Sequence, residues 1–365
     1  MKNKKVIVAM SGGVDSAVSA YLLLKKGYVV EGIFMKNWEE DDNVDYCASA
    51  KDLYDTRIVC KKLGIYLHEV NFSTEYWDNV FEKFLLSYKQ GNTPNPDILC
   101  NKKIKFGLLF DFVIYQLRAD FLATGHYAQI KSLNRKNMLI RSIDLHKDQS
   151  YFLYTLSNYK LKKILFPVGH LKKKKVRNIA HKIHLHNAYK KDSTGICFIG
   201  PRKMHIFLHR FIGYRSGNIV DQYGYIIGVH NGLVNYTIGQ RKNIGIGGRF
   251  DKQNMPWYVV EKNFIKNSLV VVQGRKNIQL FSIGLIAINV HWINKINIFN
   301  NLSCTVKVRY CANDIKCRIY LLNLYSVKII FEKPISSIAP GQSVVFYSHK
   351  ICLGGGVIKK SIPYA

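Results

Sequence analysis

Three short stretches carry residues whose types and spacing could do chemistry. In AMSGGVDSAV, residues 9–18, Gly12 and Gly13 let the chain turn sharply and bring its backbone close to a ligand, while Ser11 and Ser16 add hydroxyl donors. A helix following such a turn directs its free N–H groups and positive end at the same place, which makes an anion cradle. Neither G-x-x-x-x-G-K-[ST] nor G-x-G-x-x-G is present, so the cradle is not a Walker loop or a dinucleotide fingerprint. In PNPDILCN, residues 94–101, two prolines restrict a loop leading through Asn95, Pro96 and Asp97 to Cys100. In STGICFIG, residues 193–200, Cys197 follows a Thr-Gly-Ile turn. A thiol near a helix start is pushed toward its reactive thiolate, whereas one inside an apolar run is inert filler. On the residues alone both readings stay open for each cysteine. Asp97 likewise reads as a helix-capping carboxylate or as an acid–base group.

The elements that must position these residues follow a clear alternation in the first half. KVIVAM reads as a strand, AVSAYLLLKKG as a helix closed by Gly27, VVEGIFM as a second strand and IYLHEVNF as a third. Between and after them, YCASAKDLYDTRIVCKKLG, EYWDNVFEKFLLSYKQG and ILCNKKIKFGLLFDFVIYQL read as helices, and DFLATGHY as another strand. Strands alternating with helices predict a doubly wound parallel sheet with its ligand beyond the carboxyl ends of the strands. From about residue 200 the texture changes to glycine-rich short strands, and from about 280 strand follows strand, as in a closed barrel. We expect an α/β catalytic domain over 1–200, a small central β-rich domain over 201–277 and a C-terminal β-barrel over 278–365. The run KKKK at 172–175 reads as a solvated face.

Composition limits the class. Hydrophobic residues make up 48% of the 365, enough for sizeable cores, and no run of about 18 apolar residues marks a membrane helix. The N-terminal apolar stretch runs straight into the glycine turn and reads as a strand, not a signal peptide, so a soluble cytoplasmic protein is expected. Lys and Arg outnumber Asp and Glu by 54 to 24, a formal charge of +30 that suits a polyanionic partner but also follows from a Lys/Asn/Ile-rich composition. The eight cysteines form no CxxC pair and no zinc-type spacing, so no protein-bound metal is expected. Cys47, Cys60, Cys304, Cys311 and Cys317 read as small core residues.

SGGxDS directly after an N-terminal strand resembles the PP-loop of ATP pyrophosphatases, which split ATP between the α and β phosphates to adenylate a substrate. The wider chain is similar to the bacterial tRNA-specific 2-thiouridylases (MnmA type). AMSGGVDS, GIFMKNWEEDD, TPNPDILCNKKIKF, LATGHYA, KDQSYFLYTLS, KKDSTGICFIG, YTIGQRK, GIGG, PGQSVVFY and CLGGGVI carry that likeness from end to end. The resemblance implies ATP-dependent adenylation of the C2 oxygen of the wobble uridine of tRNA. A persulfide then attacks C2, and a second cysteine resolves the sulfur bridge. It assigns Cys100 as nucleophile, Cys197 as the persulfide carrier, and Asn95, Pro96 and Asp97 to the target base. ATP contacts fall on Ala9, Met10, Ser11, Gly12, Gly13, Val14, Asp15, Ser16, Met35 and Gly125, with Mg2+ accompanying the nucleotide near Asp15. tRNA contacts fall on His126, Lys147, Asp148, Gln149, Arg309, Tyr310 and Gln342. It also implies a sulfur-relay donor fed by a cysteine desulfurase, and a monomer is the expected state.

Two departures from the family pattern are visible: Pro201 where members commonly carry glutamate, and CAND after Arg309-Tyr310 where they carry an arginine-rich string. Alternatives are another PP-loop adenylating enzyme, or a tRNA-binding protein whose catalytic machinery has decayed. The intact SGGVDS and both cysteines speak against the second.

Overall fold

The computed structural model describes residues 3–39, 48–133, 136–192, 204–213, 215–246, 255–295 and 301–364. Seven strands belong to the first half: β1 (Lys5–Met10), β2 (Val29–Lys36), β3 (Leu67–Asn71), β4 (Phe121–Thr124), β5 (Ala128–Leu133), β6 (Lys136–Arg141) and β7 (Ile164–Leu165). Five of them form a parallel sheet in the order β3-β2-β1-β4-β7. The apolar run of β1 follows from burial on both faces, since Val6, Ile7 and Val8 are all fully enclosed. The chain first builds outward from β1 to β3 and then restarts on the other side with β4. The carboxyl ends of β1 and β4 therefore flank the point where strand order reverses. The helix Val14–Lys25 follows β1 directly, and Gly27, at φ 80°, closes it as expected.

Two long helical runs, 73–89 and 96–116, separate β3 from β4. Both contain wide turns, Trp77–Phe81 in the first and Cys100–Leu108 and Phe112–Gln116 in the second. Apolar side chains from both runs, among them Phe81, Phe84, Cys100 and Ile104, pack with Phe207 and Leu208 of the helix Met204–His209.

The second half carries β8 (Gly217–Val220), β9 (Ile226–His230), β10 (Trp257–Asn263) and β11 (Ser268–Gln273), a four-stranded sheet in the order β10-β11-β8-β9. After it come β12 (Phe281–Trp292), β13 (Leu302–Lys307), β14 (Ile315–Asn323), β15 (Ser326–Ser336), β16 (Ser343–Ser348) and β17 (Ile351–Pro363). Pairing of β12 with both β15 and β17 closes these six into a barrel, as the strand-after-strand texture predicts. One connection has no counterpart in the sequence patterns. The β5–β6 hairpin, from the first half, adds its edge to the barrel through Ile140↔Ile351 and Leu139↔Cys352. Arg141 strengthens that seam by lying 3.8 Å over the Tyr347 ring and pairing with Asp314 at 2.8 Å.

The cysteine expectations need one correction. Cys60 and Cys317 are buried and Cys304 is half-buried, facing Cys317 across β13–β14 with sulfurs 3.8 Å apart. Cys311, by contrast, is exposed, because the strand pattern breaks after β13 and the residue falls in the turn before β14. Cys47 lies outside the described residues.

Candidate active site

The cradle forms as its residue types require. Gly12 takes φ 68°, and a Cβ there would stand 2.6 Å from the carbonyl oxygen of Asp52, so a side chain is excluded twice over. Gly13 is extended and caps the helix without a side chain, leaving the first N–H groups to a ligand. Ser16 Oγ accepts from the Ser11 N–H at 3.3 Å, lies 3.3 Å from Ser11 Oγ and donates to the Gly13 carbonyl at 3.1 Å. Ala9, Met10 and Val14 are the strand and helix residues flanking this turn. Gly125, just past β4, completes the cradle from the neighbouring strand: a Cβ would meet the Ser16 N at 2.7 Å. Met35, near the end of β2, packs both against the sheet core and against the cluster that contains Cys100. A cavity of about 460 Å³ opens beside it, between Phe34, Lys36, Val70 and the first turn of the helix Ala48–Leu63, a size suited to a small ligand.

Asp15 is not left to solvent. Its carboxylate accepts from Tyr127 at 2.8 Å and takes Lys173 at 2.8 and 2.7 Å. Lys173 also pairs with Asp192 at 2.7 Å, and Arg177 and Lys147 join Asp192 at 2.9 and 2.6 Å. Burial acts to raise the Asp192 carboxyl, but the bonds from Lys147 and Lys173 outweigh it and hold the group at about 2. Asn187 donates to the Gly12 carbonyl at 3.0 Å, fixing the cradle from beneath. Sequence reading missed Tyr127, Lys173, Asn187 and Asp192. Lys173 corrects the reading of KKKK as a solvated face, since its side chain is only 11% exposed. The signal lay in the pattern KKKKVRNIA, a helix whose buried Val176 and Ala180 turn one lysine inward.

The second corner is built at the start of the 96–116 helix. Asn95 caps it, its Oδ1 accepting the Asp97 N–H at 3.1 Å, and Pro96 opens the first turn. Burial raises the Asp97 carboxyl above the usual range, and the nearby Lys105 charge only partly offsets this. Cys100 is buried, 5% exposed, among Ile104, Phe84 and Tyr76. It stands in the second turn, not the first, so the helix dipole supports its thiolate less than a position nearer the cap would. Its neighbour Asn101 is also enclosed, donating to the Phe152 carbonyl at 3.2 Å. Cys197 and Pro201 lie outside the described residues; the described chain ends at Asp192 on that side.

The expected tRNA contacts divide. Lys147 is well exposed, at 41% of its side chain. His126 bonds to Thr124 at 2.7 Å between Phe106 and Phe166, and burial holds its pKa well below the ordinary imidazole value, so it stays neutral. Gln149 exchanges bonds with the Tyr127 backbone. Tyr310 stacks beside Phe152 at 4.5 Å, burial pushing its hydroxyl up to about 12. Asp148 is turned inward. Its carboxylate is 3% exposed and accepts the Ser142 and Ser150 N–H groups and the Ser150 hydroxyl, so it braces a turn and cannot reach a bound RNA through its side chain. Arg309 and Gln342 both spend donors on backbone carbonyls of other segments.

The sheet order, the glycine cradle and the closed barrel define an α/β nucleotide-binding fold joined to two β modules. Family models match in the same order: the tRNA methyl transferase HUP domain over 4–201, the tRNA methyl transferase PRC-barrel domain over 205–273 and the Aminomethyltransferase beta-barrel domain over 282–358. The chain is 59% identical over 362 residues to the tRNA-specific 2-thiouridylase MnmA of Buchnera aphidicola subsp. Acyrthosiphon pisum, covering 99% of this chain and 98% of that protein. It is 54% identical over 360 residues to the protein of the same name from Salmonella typhimurium, covering 99% and 98%. The chain belongs to the tRNA-specific 2-thiouridylase family. Among the described residues no helix is long and apolar enough to cross a membrane, and no group of three His, Cys, Asp or Glu side chains could hold a metal.

Proposed function

We propose that the chain is a tRNA-uridine 2-sulfurtransferase acting on the wobble uridine, using ATP to adenylate the C2 oxygen and a persulfide to displace AMP. The observation that carries this reading is the meeting of two corners: Met35 at the carboxyl edge of the sheet packs into the cluster holding Cys100, one helical turn from Asp97. The cradle of Ser11, Gly12, Gly13 and Ser16 suits the pyrophosphate half of ATP, with Gly125 closing its far side. Asp15 offers one carboxylate, the kind of donor magnesium uses together with phosphate oxygens, and the bound ion would neutralise phosphate charge there. Lys173 presents a cation to the same place.

Asp97 with its raised pKa is suited to hold a proton beside the C2 oxygen. Cys100, behind an apolar wall that excludes water, attacks the Cys197 sulfur once the outer sulfur has bonded to C2 and AMP has left. A Cys100–Cys197 disulfide forms as the bond to the outer sulfur breaks, leaving that sulfur on the base, and an external thiol must later reduce the disulfide. The family likeness places the persulfide on Cys197 and its supply with a relay protein and a cysteine desulfurase; a monomer acting in the cytoplasm completes the reading. Lys147, His126, Gln149 and Tyr310 border the surface on which the anticodon arm would rest. Cys100→Ser and Cys197→Ser should each abolish 2-thiouridine, read by retardation on a mercury-containing gel, while tRNA affinity stays within about twofold. Substantial thiolation surviving in either variant would sink the two-cysteine scheme.

A further inference from the structure

The loop that introduces the target-base residues is tied to its own domain at Gly91 and Asn92, which bond back to Tyr88 and Ser87, but its next residue is held from elsewhere. Thr93 gives its N–H to the Pro340 carbonyl at 2.8 Å, and its own carbonyl accepts from Gln342 Nε2 at 2.7 Å. Its hydroxyl reaches Thr237, in the central domain, at 3.3 Å. Every polar group of Thr93 is thus used by a segment at least 144 residues away. The barrel turn that grips it is itself fixed to β17, Gly341 donating to the Ile358 carbonyl at 2.9 Å and Gln342 accepting the Ile358 N–H at 2.8 Å. Gly341 sits at φ 88°, and a Cβ there would stand 2.7 Å from Asn92 Cβ and 2.8 Å from the Thr93 N. Only glycine allows the two turns this close.

The central domain closes the same junction. Arg309 donates to the Ile238 carbonyl at 2.9 Å and to the Ser337 carbonyl at 2.8 Å, tying that domain to the barrel. Gly239, at φ 82°, presses against Ser337, and Gly91 lies against the Phe264 ring. All three modules therefore meet around residues 91–93, two residues before Asn95.

We propose that Gln342, Gly341, Thr237 and Arg309 form a positioning clasp for the target-base loop, so that Gln342 and Arg309 serve the reaction through Thr93 beside any contact they make with tRNA. The inference rests on the 2-thiolation reading. Its physical basis is stiffness: Pro94 and Pro96 fix φ on both sides of Asn95, so a shift at Thr93 is passed to Asp97 and Cys100 instead of being absorbed. A displacement of about 1 Å at reacting groups can cost about 10²-fold in rate.

The test uses the full chain with unmodified tRNA and ATP. Gln342→Met keeps length but removes the donor, Gly341→Ala drives the turns apart, and Thr237→Val removes only the hydroxyl contact. Single-turnover thiolation should fall roughly 10- to 100-fold in the first two and about 3- to 10-fold in the third. The tRNA dissociation constant should stay within about twofold of wild type in Gly341→Ala and Thr237→Val, and amide exchange at Thr93 should quicken at least about tenfold in Gln342→Met. Thr237→Val decides the matter if Gly341→Ala does not fold. Weakened tRNA binding with an unchanged saturating rate in Thr237→Val and Gly341→Ala, or faster Thr93 exchange with wild-type rate in any of the three, overturns the clasp. Absence of thiolation by the wild-type chain is a different failure, of the function reading, and leaves the exchange result to judge the contact.

Discussion

The two corners of the site are made in opposite ways. The cradle is made mostly locally: strand, turn and helix lie within Lys5–Lys25, two serines bond across the turn, and Gly125, Asn187 and the Asp52 carbonyl only brace it from outside. The Cys100 corner is distributed, its loop gripped by turns from the central domain and the barrel. A local device tolerates change elsewhere and fails sharply when its own residues change. A distributed one can be detuned from far away.

The sharpest way to break the contrast is Gly12→Ala. With φ 68° and a Cβ 2.6 Å from the Asp52 carbonyl oxygen, the variant must deform the cradle, and tRNA-dependent pyrophosphate release should fall by more than about 10²-fold while the barrel's contact with Thr93 is untouched. Retained release would show that the cradle is not set locally. Asp97→Asn probes the other corner. Loss of a proton-holding group should lower thiolation by about 10²- to 10⁴-fold. Because burial raises the native carboxyl pKa, the native state holds its proton more tightly than the unfolded chain, and stability falls as pH climbs through the shifted range. The variant should therefore be more resistant to denaturant at neutral pH than wild type, and a destabilised Asp97→Asn would count against that account.

The smallest effect concerns Asp192, which joins Lys173 and so the cradle to the end of the described segment. Its native pKa of about 2 lies below the unfolded value, so its contribution is present above the ordinary carboxylate range and is lost as pH falls toward 2. Wild type should exceed Asp192→Asn in denaturant midpoint at pH 7, and the gap should narrow at pH 3 and close only as pH falls below about 2. An equal gap at both values would remove the charge argument.

Legibility in sequence followed the same division. SGGVDS announced its conformation because glycine geometry and helix ends act within a few residues, and β1, β2 and β4 were readable from burial on both faces. Lys173 was hidden in a lysine run because only the packing of Val176 and Ala180 decides which of four like side chains points inward. The inward turn of Asp148 was not legible because a matched stretch such as Lys147-Asp148-Gln149 does not reveal where a carboxylate points. Gln342 and Arg309 could be singled out as polar residues in matched stretches, but their carbonyl partners lie far along the chain, where no periodicity reports them.

The β5–β6 seam with β17 sets an order of events at the ribosome. Residues 139–141 emerge about 210 positions before their partners at 350–352, roughly 10–40 s earlier at about 5–20 residues per second. During that interval the first domain can complete its parallel sheet, yet its hairpin keeps an unpaired edge. The barrel, last to be made, is what covers it. A truncation between the end of the first domain and β17 should therefore leave a chain that binds nucleotide but presents an open strand edge, and it should be found in aggregates.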